Sequence, residues 1–132
     1  MSFPLCLNTS TIHPHPLVDK IRWTAAAGFA AIELWIPDLY EHVGRGGEVR
    51  DIEKALTDHG LGVPSMIALR WWGDAAESEY PALLDEAKRR MELAARIGAR
   101  YVVATPPREA CDLDQLTRRY VDLLAVGREV GV

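Results

Sequence analysis

Gly28-Phe-Ala-Ala-Ile-Glu-Leu-Trp35 joins a helix stop directly to a buried strand. Gly28 tolerates the left-handed backbone that closes a helix. After it, Ile32, Leu34 and Ile36 alternate with Ala31, Glu33 and Trp35, the two-residue period of a strand. One face is aliphatic and the other carries a carboxylate. A carboxylate in an apolar strand is costly unless it is paired or put to use, so Glu33 is the first candidate for function.

The same rhythm extends in both directions. Upstream, Leu5 and Leu7 alternate with Cys6 and Asn8, which predicts a strand over 3–8. A loop over 9–15 leads to Pro16, suited to the first turn of a helix because no backbone donor is needed there. Leu17, Val18, Ile21 and Ala25 form that helix's apolar stripe, and Gly28 stops it. Downstream, the strand over 31–36 gives way to a predicted loop over 37–47. A helix over 48–59 follows, with Val49, Ile52, Leu56 and His59 on one face. Gly60 and Gly62 bracket its stop, and a third strand is predicted over 63–68. After a loop over 69–78, Ser78 is the expected N-cap of a helix with Pro81 in its first turn. Leu84, Ala87, Met91, Ala94 and Ile97 carry this helix to Gly98. A fourth strand over 101–105 ends at Pro106-Pro107. Asp112 and Gln115 have the spacing of a capping box. Leu113, Leu116, Tyr120, Leu123 and Leu124 then carry the last helix towards Gly127 or Gly131.

Strands alternating with helices define an α/β chain of four consecutive βα units, with parallel strands and right-handed crossovers. The turns after helices are short, whereas the loops after strands are long and hold the unusual residues. Parallel α/β folds place their sites on those loops. A (β/α)8 barrel needs roughly 250 residues, and this chain has 132. It is therefore expected to be a single (βα)4 half-barrel over 1–132, the N-terminal half of a (β/α)8 TIM barrel, whether as a fragment, a truncated gene or a designed half-barrel. A small doubly wound domain with helices on both faces is the alternative. A half-barrel leaves the edges of its first and last strands bare, so a homo-oligomer such as a homodimer, or pairing with the missing half-barrel, is expected.

Composition narrows the function classes. The chain is 48% hydrophobic and 26% charged with net charge −4, and no basic block suggests nucleic acid. The start lacks a basic segment followed by an apolar run, so no secretory signal is read. No stretch approaches the roughly 18 apolar residues of a membrane span. Cys6 and Cys111 lie far apart without metal-ligand spacing, as in a reduced cytoplasmic protein. Asn8-Thr9-Ser10 matches a glycosylation acceptor only by chance on that reading.

Several pieces together resemble the xylose isomerase-like TIM-barrel family. They are Leu7-Asn8-Thr9, Ala26-Ala27-Gly28-Phe29 with Ile32-Glu33-Leu34, Gly60-Leu-Gly-Val63, and Ala94-Ala95-Arg96-Ile97-Gly98-Ala99. That family groups sugar and sugar-phosphate isomerases and epimerases, inosose dehydratases and endonuclease IV-like enzymes. The resemblance implies a parent enzyme that acts on a small sugar-like substrate. It also implies a divalent metal (Mn, Mg or Zn) in the full barrel, and carboxylates that move a proton. The metal ligands in such enzymes are usually Glu, Asp, His and Glu on later strands, so no metal is expected in this segment and its catalytic residues are unknown. Ala68-Leu-Arg70 and Ala104-Thr-Pro106 stand where some relatives carry a histidine, which argues against an endonuclease-like multi-metal site. The resemblance leaves open an inosose dehydratase-like parent and a non-catalytic, self-associating half-barrel module.

Five residues are the substrate-contact candidates: Asn8, Glu33, Trp35, Arg70 and Trp71. Glu33 either holds a substrate hydroxyl or orients a cation, or is a structural carboxylate bound by an Arg or by backbone groups. Asn8 offers two donors and an acceptor to a sugar, or caps the next helix. Trp35 stacks on a sugar ring or fills core. Arg70 grips phosphate or forms a surface salt bridge, and Trp71 lies beside it. Trp72 covers the barrel mouth or buries against a partner. His13-Pro-His15 has the look of a ligand pair but reads better as solvated loop. Gly44-Arg-Gly-Gly47 precedes a helix start that can bind anions, yet lacks phosphate-loop spacing and reads as a flexible turn. Asp38, Glu41 and His42 are expected together on a loop. Arg89-Arg90 and Arg118-Arg119 are expected on solvated helix faces.

Overall fold

The computed structural model describes residues 3–109 and 111–132. The chain divides into two compact units, Met1–Ile67 and Ala68–Val132. Its four strands are β1 (Cys6–Asn8), β2 (Ala31–Trp35), β3 (Ser65–Leu69) and β4 (Tyr101–Ala104), in the order β1-β2-β3-β4. β1 pairs with β2 in parallel, and β2 with β3 likewise. Beyond β4, the Thr105 N–H donates to the Leu69 carbonyl at 2.9 Å. The helices are α1 (Leu17–Ala26), α2 (Ile36–Gly44), α3 (Val49–His59), α4 (Tyr80–Ile97) and α5 (Leu113–Val130).

In the first unit, Ile21 of α1, Ile32 and Leu34 of β2 and Ile52 of α3 are wholly buried. Each such side chain contributes about 1.5–3 kcal/mol of burial free energy, so the aliphatic face of β2 anchors the unit. Glu33 lies on the opposite face, and the register sets it beside Asn8. The α3 start is a capping box: the Glu48 side chain and the Asp51 side chain each take the other's backbone N–H. In the second unit, Leu69, Trp72, Ala87, Met91 and Leu123 form one buried cluster between the strand end, α4 and α5.

Several expectations are corrected. The strand expected from Phe3 begins at Cys6, and the other strands shift or shorten by one or two residues at their ends. The α1 stripe is not purely apolar, since Lys20 and Thr24 are buried while Val18 is exposed. The loop expected over 37–47 is largely the helix α2. Trp35 is its cap residue and Pro37 lies in its first turn, where proline costs no hydrogen bond. Ser78 is not a cap; Glu79 precedes α4. Asp112 does cap α5, accepting from the N–H groups of Asp114 and Gln115 at 2.8 and 3.2 Å. Gln115 does not complete a box, because its side chain donates to Glu77. α5 runs through Gly127 and stops at Gly131, whose φ is +89°. Its buried face is Arg119, Leu123 and Gly127, leaving Leu113, Tyr120 and Leu124 exposed.

Candidate functional site

Three strands bring polar side chains together in the first unit. Asn8 ends β1, Glu33 is central in β2, and Ser65 opens β3. The Asn8 Nδ2 group donates to Glu33 Oε2 at 2.5 Å, and the Ser65 hydroxyl donates to Glu33 Oε1 at 2.5 Å. Bonds to an ionised acceptor are shorter and stronger than neutral ones. Asn8 Oδ1 in turn accepts from both the N–H and the hydroxyl of Ser10, at 2.9 and 2.7 Å. Asn8 is thus both a cap for the following 3-10 turn (Thr9–Ile12) and a partner of the carboxylate. Neither an Arg nor a backbone group holds Glu33 among the described residues; two neutral side chains do.

This arrangement leaves capacity. A carboxylate has about four lone-pair positions, and the two bonds use one on each oxygen. Asn8 keeps a second Nδ2 hydrogen, and the Ser65 oxygen still accepts. Donors and acceptors therefore alternate across the three strands, which suits the vicinal hydroxyls of a polyol. Cys6, two residues before Asn8, has its thiol pKa raised, first by burial and then by the Glu33 carboxylate. It remains a protonated free thiol at neutral pH.

Trp35 closes β2 beside this cluster. Its N–H donates to the buried Thr9 hydroxyl at 2.8 Å. The His13 ring meets the Trp35 ring edge-on at 5.4 Å and 87°. His15 makes the corresponding contact with Trp23 at 5.0 Å and 84°. The two histidines therefore serve two separate tryptophans and form no ligand pair. Gly44-Arg-Gly-Gly47 is a turn packed against the His42 ring. Asp38, Glu41 and His42 sit on α2 and are occupied separately. Asp38 is buried against Lys20 at 2.8 Å, Glu41 pairs with Arg45, and His42 lies 3.2 Å from Asp51.

The second unit carries the other two candidates. Arg70 and Trp71 are both exposed just past β3, and Arg70 makes no ion pair among the described residues. Trp72 turns inward instead of covering a mouth or a partner: it is buried, and its Nε1–H donates to the Thr105 carbonyl at 2.9 Å. Each double-arginine run is solvated at one residue only, Arg89 and Arg118 being exposed. Arg90 bonds Glu86 and the Ala68 carbonyl, and the Arg119 guanidinium is buried.

Ser65, Lys20 and Arg119 are the residues that local pattern did not single out. For Ser65 a signal existed, a small hydroxyl alternating with Met66 on a predicted strand. For Lys20 and Arg119 nothing local distinguishes a buried cation from a solvated one.

Parallel strands in sequence order, alternating with helices, define a barrel-type α/β scaffold. The chain belongs to the xylose isomerase-like TIM barrel family, whose model matches residues 21–126. Solved structures agree on the fold. The chain is similar to the IolI protein described with a binding zinc atom, at 21% identity and TM-score 0.82, covering 98% of this chain and 49% of that one. It is also similar to the 3-keto-D-glucoside 4-epimerase YcjR from E. coli, at 20% and 0.72, covering 98% and 52%. A third is the probable 3-DHS dehydratase AsbF from Bacillus anthracis, at 14% and 0.78, covering 97% and 49%. The chain spans about half the length of these proteins, and at such identities the likeness is one of fold. No curated protein matches the chain.

Among the described residues no group of three or more His, Cys, Asp or Glu stands together as a metal cluster. Glu33 is engaged by neutral donors. The Asn8–Glu33–Ser65 cluster offers one carboxylate and two neutral side chains, which is not the donor set of a divalent-ion site.

Proposed function

We propose that the chain is part of a sugar or sugar-phosphate isomerase or epimerase and that it supplies substrate contacts in that enzyme. The supporting observation is the Glu33 carboxylate, held by Asn8 and Ser65 with lone pairs to spare on the strand face opposite the core. On this reading Glu33 accepts from one substrate hydroxyl and Asn8 donates to its neighbour, while Trp35 offers a ring face. Fixed acceptors and donors orient a polyol for proton transfer. The divalent ion and the carboxylates that move the proton belong to strands outside this chain. Water elimination from a similar polyol is the second reading, favoured by the likeness to a probable dehydratase, and it uses the same contacts.

The test is a titration of isotope-labelled chain with D-xylose, D-fructose and myo-inositol. The signals to follow are the Asn8 side-chain amide and the Glu33 carboxyl carbon. Saturable shifts at both are expected, with Glu33→Gln weakening binding by about tenfold, or about 1.4 kcal/mol. Silence at both signals with all three compounds overturns the proposal.

A further inference from the structure

Arg119 is drawn into the second unit by a single loop. Its side chain is 3% exposed. Nη1 donates to the carbonyls of Trp72, Gly73 and Ala75 at 3.2, 3.3 and 2.9 Å, and Nη2 to Glu77 at 3.1 Å. The guanidinium lies 4.3 Å from the centre of the Tyr80 ring, and the Tyr80 hydroxyl donates to Asp122 at 2.9 Å. Three carbonyls from one turn have no strand or helix ladder to join, and one planar cation satisfies them together. The other flank of the turn is closed by packing: a Cβ on Gly73 would lie 2.6 Å from Leu116 and from Pro107.

The turn so held follows directly on Trp71, which combines two costly features. Its φ is +61°, in the left-handed region that bulky side chains avoid, and it is 63% exposed. Such strain persists only where the surroundings over-determine it. Trp72 is tied inward by Thr105, so the chain reverses there and leaves the Trp71 indole and the Arg70 guanidinium outside. An exposed ring next to an exposed cation suits a ligand with an apolar sugar face and an anionic group.

We propose that Arg119 is a positioning residue: it fixes the turn after β3 so that Arg70 and Trp71 form a contact surface for a phosphorylated sugar. The sugar-phosphate class rests on the functional reading given above; the anchoring does not. The test uses the whole chain labelled with 5-fluorotryptophan, whose four indoles are assigned by single Trp→Phe replacements. Wild-type Trp71 is expected to shift on titration with D-fructose 6-phosphate. In Arg119→Met the ligand-free Trp71 resonance is expected to move towards that of the free amino acid, and the response to D-fructose 6-phosphate to weaken at least tenfold. Trp23 and Trp35 report that the first unit is folded, and a Trp72 resonance still dispersed from the free amino acid's reports that the second unit keeps its buried cluster. Arg119→Lys is not expected to rescue, because one ammonium lacks the guanidinium fork. Where Arg119→Met fails to fold, Gly73→Ala displaces the same turn from its other flank and is expected to move Trp71 likewise. An unchanged Trp71 resonance and response in either folded variant overturns the proposal, as does a wild-type Trp71 that ignores D-fructose 6-phosphate. Shifts at Asn8 and Glu33 with a silent Trp71 overturn this proposal alone, whereas a responsive Trp71 with silent Asn8 and Glu33 counts against the polyol site and leaves this one standing.

Discussion

Tyr80 shows how neighbours set the behaviour of one side chain. Its phenol pKa is raised well above the ordinary value, first by burial and then by the hydrogen bond to Asp122, whose charge disfavours a phenolate. The folded state therefore keeps a proton that the unfolded chain releases near pH 10. A raised pKa gives stability that is complete below the unfolded value and is lost as pH rises towards the folded one. Wild type should exceed Tyr80→Phe by about 1 kcal/mol near neutral pH, the worth of one hydrogen bond. That margin should shrink above about pH 10. Urea unfolding of both proteins across this range measures it, and a margin that holds or widens in alkali refutes the account. The residues of the candidate site differ in how visible they were. Glu33 and Asn8 stood out because alternation puts a side chain on a face, and a polar group on an apolar strand needs a reason. Arg119 did not, because its partners are carbonyls of a turn more than forty residues earlier, and a helical arginine next to another arginine carries the pattern of a solvated face.

At the level of elements, the Lys20–Asp38 pair explains why α2 is a helix docked on α1 and not a loop. Both side chains are buried, and the ammonium lies 2.8 Å from the carboxylate. Removing one partner of a buried pair strands the other charge, a cost of about 3–5 kcal/mol, whereas replacing both with apolar groups can be close to neutral. Lys20→Met and Asp38→Leu are each expected to destabilise by about that amount. The double variant should lose far less stability than the sum of the two single losses. Chemical unfolding of the four proteins gives the coupling; additive losses would mean that the two groups do not act as a pair. This docking also shows where periodicity stops being informative. The strands, α1, α3, α4 and α5 were legible because each has a stripe and a stop signal. The nine residues of α2 (Ile36–Gly44) have a proline in second place and end at the first glycine of a glycine-rich turn, local signals shared with loops. What makes them helical is burial of Ile36, Asp38 and Leu39, and that information lies in the tertiary structure.

For the molecule as a whole, the sheet edges pose the remaining physical problem. Parallel strands are normally covered on both faces and bonded on both sides. β4 stands at one end of the strand order and exposes Tyr101 and Val103, with Leu124 and Tyr120 of α5 also exposed. At the other end, Phe3 and Leu5 beside β1 are exposed as well. An apolar strand edge is a template for another strand, and the solved relatives are about twice as long as this chain. We propose that the isolated chain covers these edges with a second copy of itself. Light scattering across a dilution series is expected to give at least a dimer at micromolar concentration. Tyr101→Lys together with Val103→Lys should shift the mass towards the monomer without loss of circular dichroism, because both side chains already face outward. A wild-type chain that stays monomeric and fully folded at every concentration sinks the proposal: it would mean that β4 tolerates water unaided, and the lysine pair should then change neither mass nor stability.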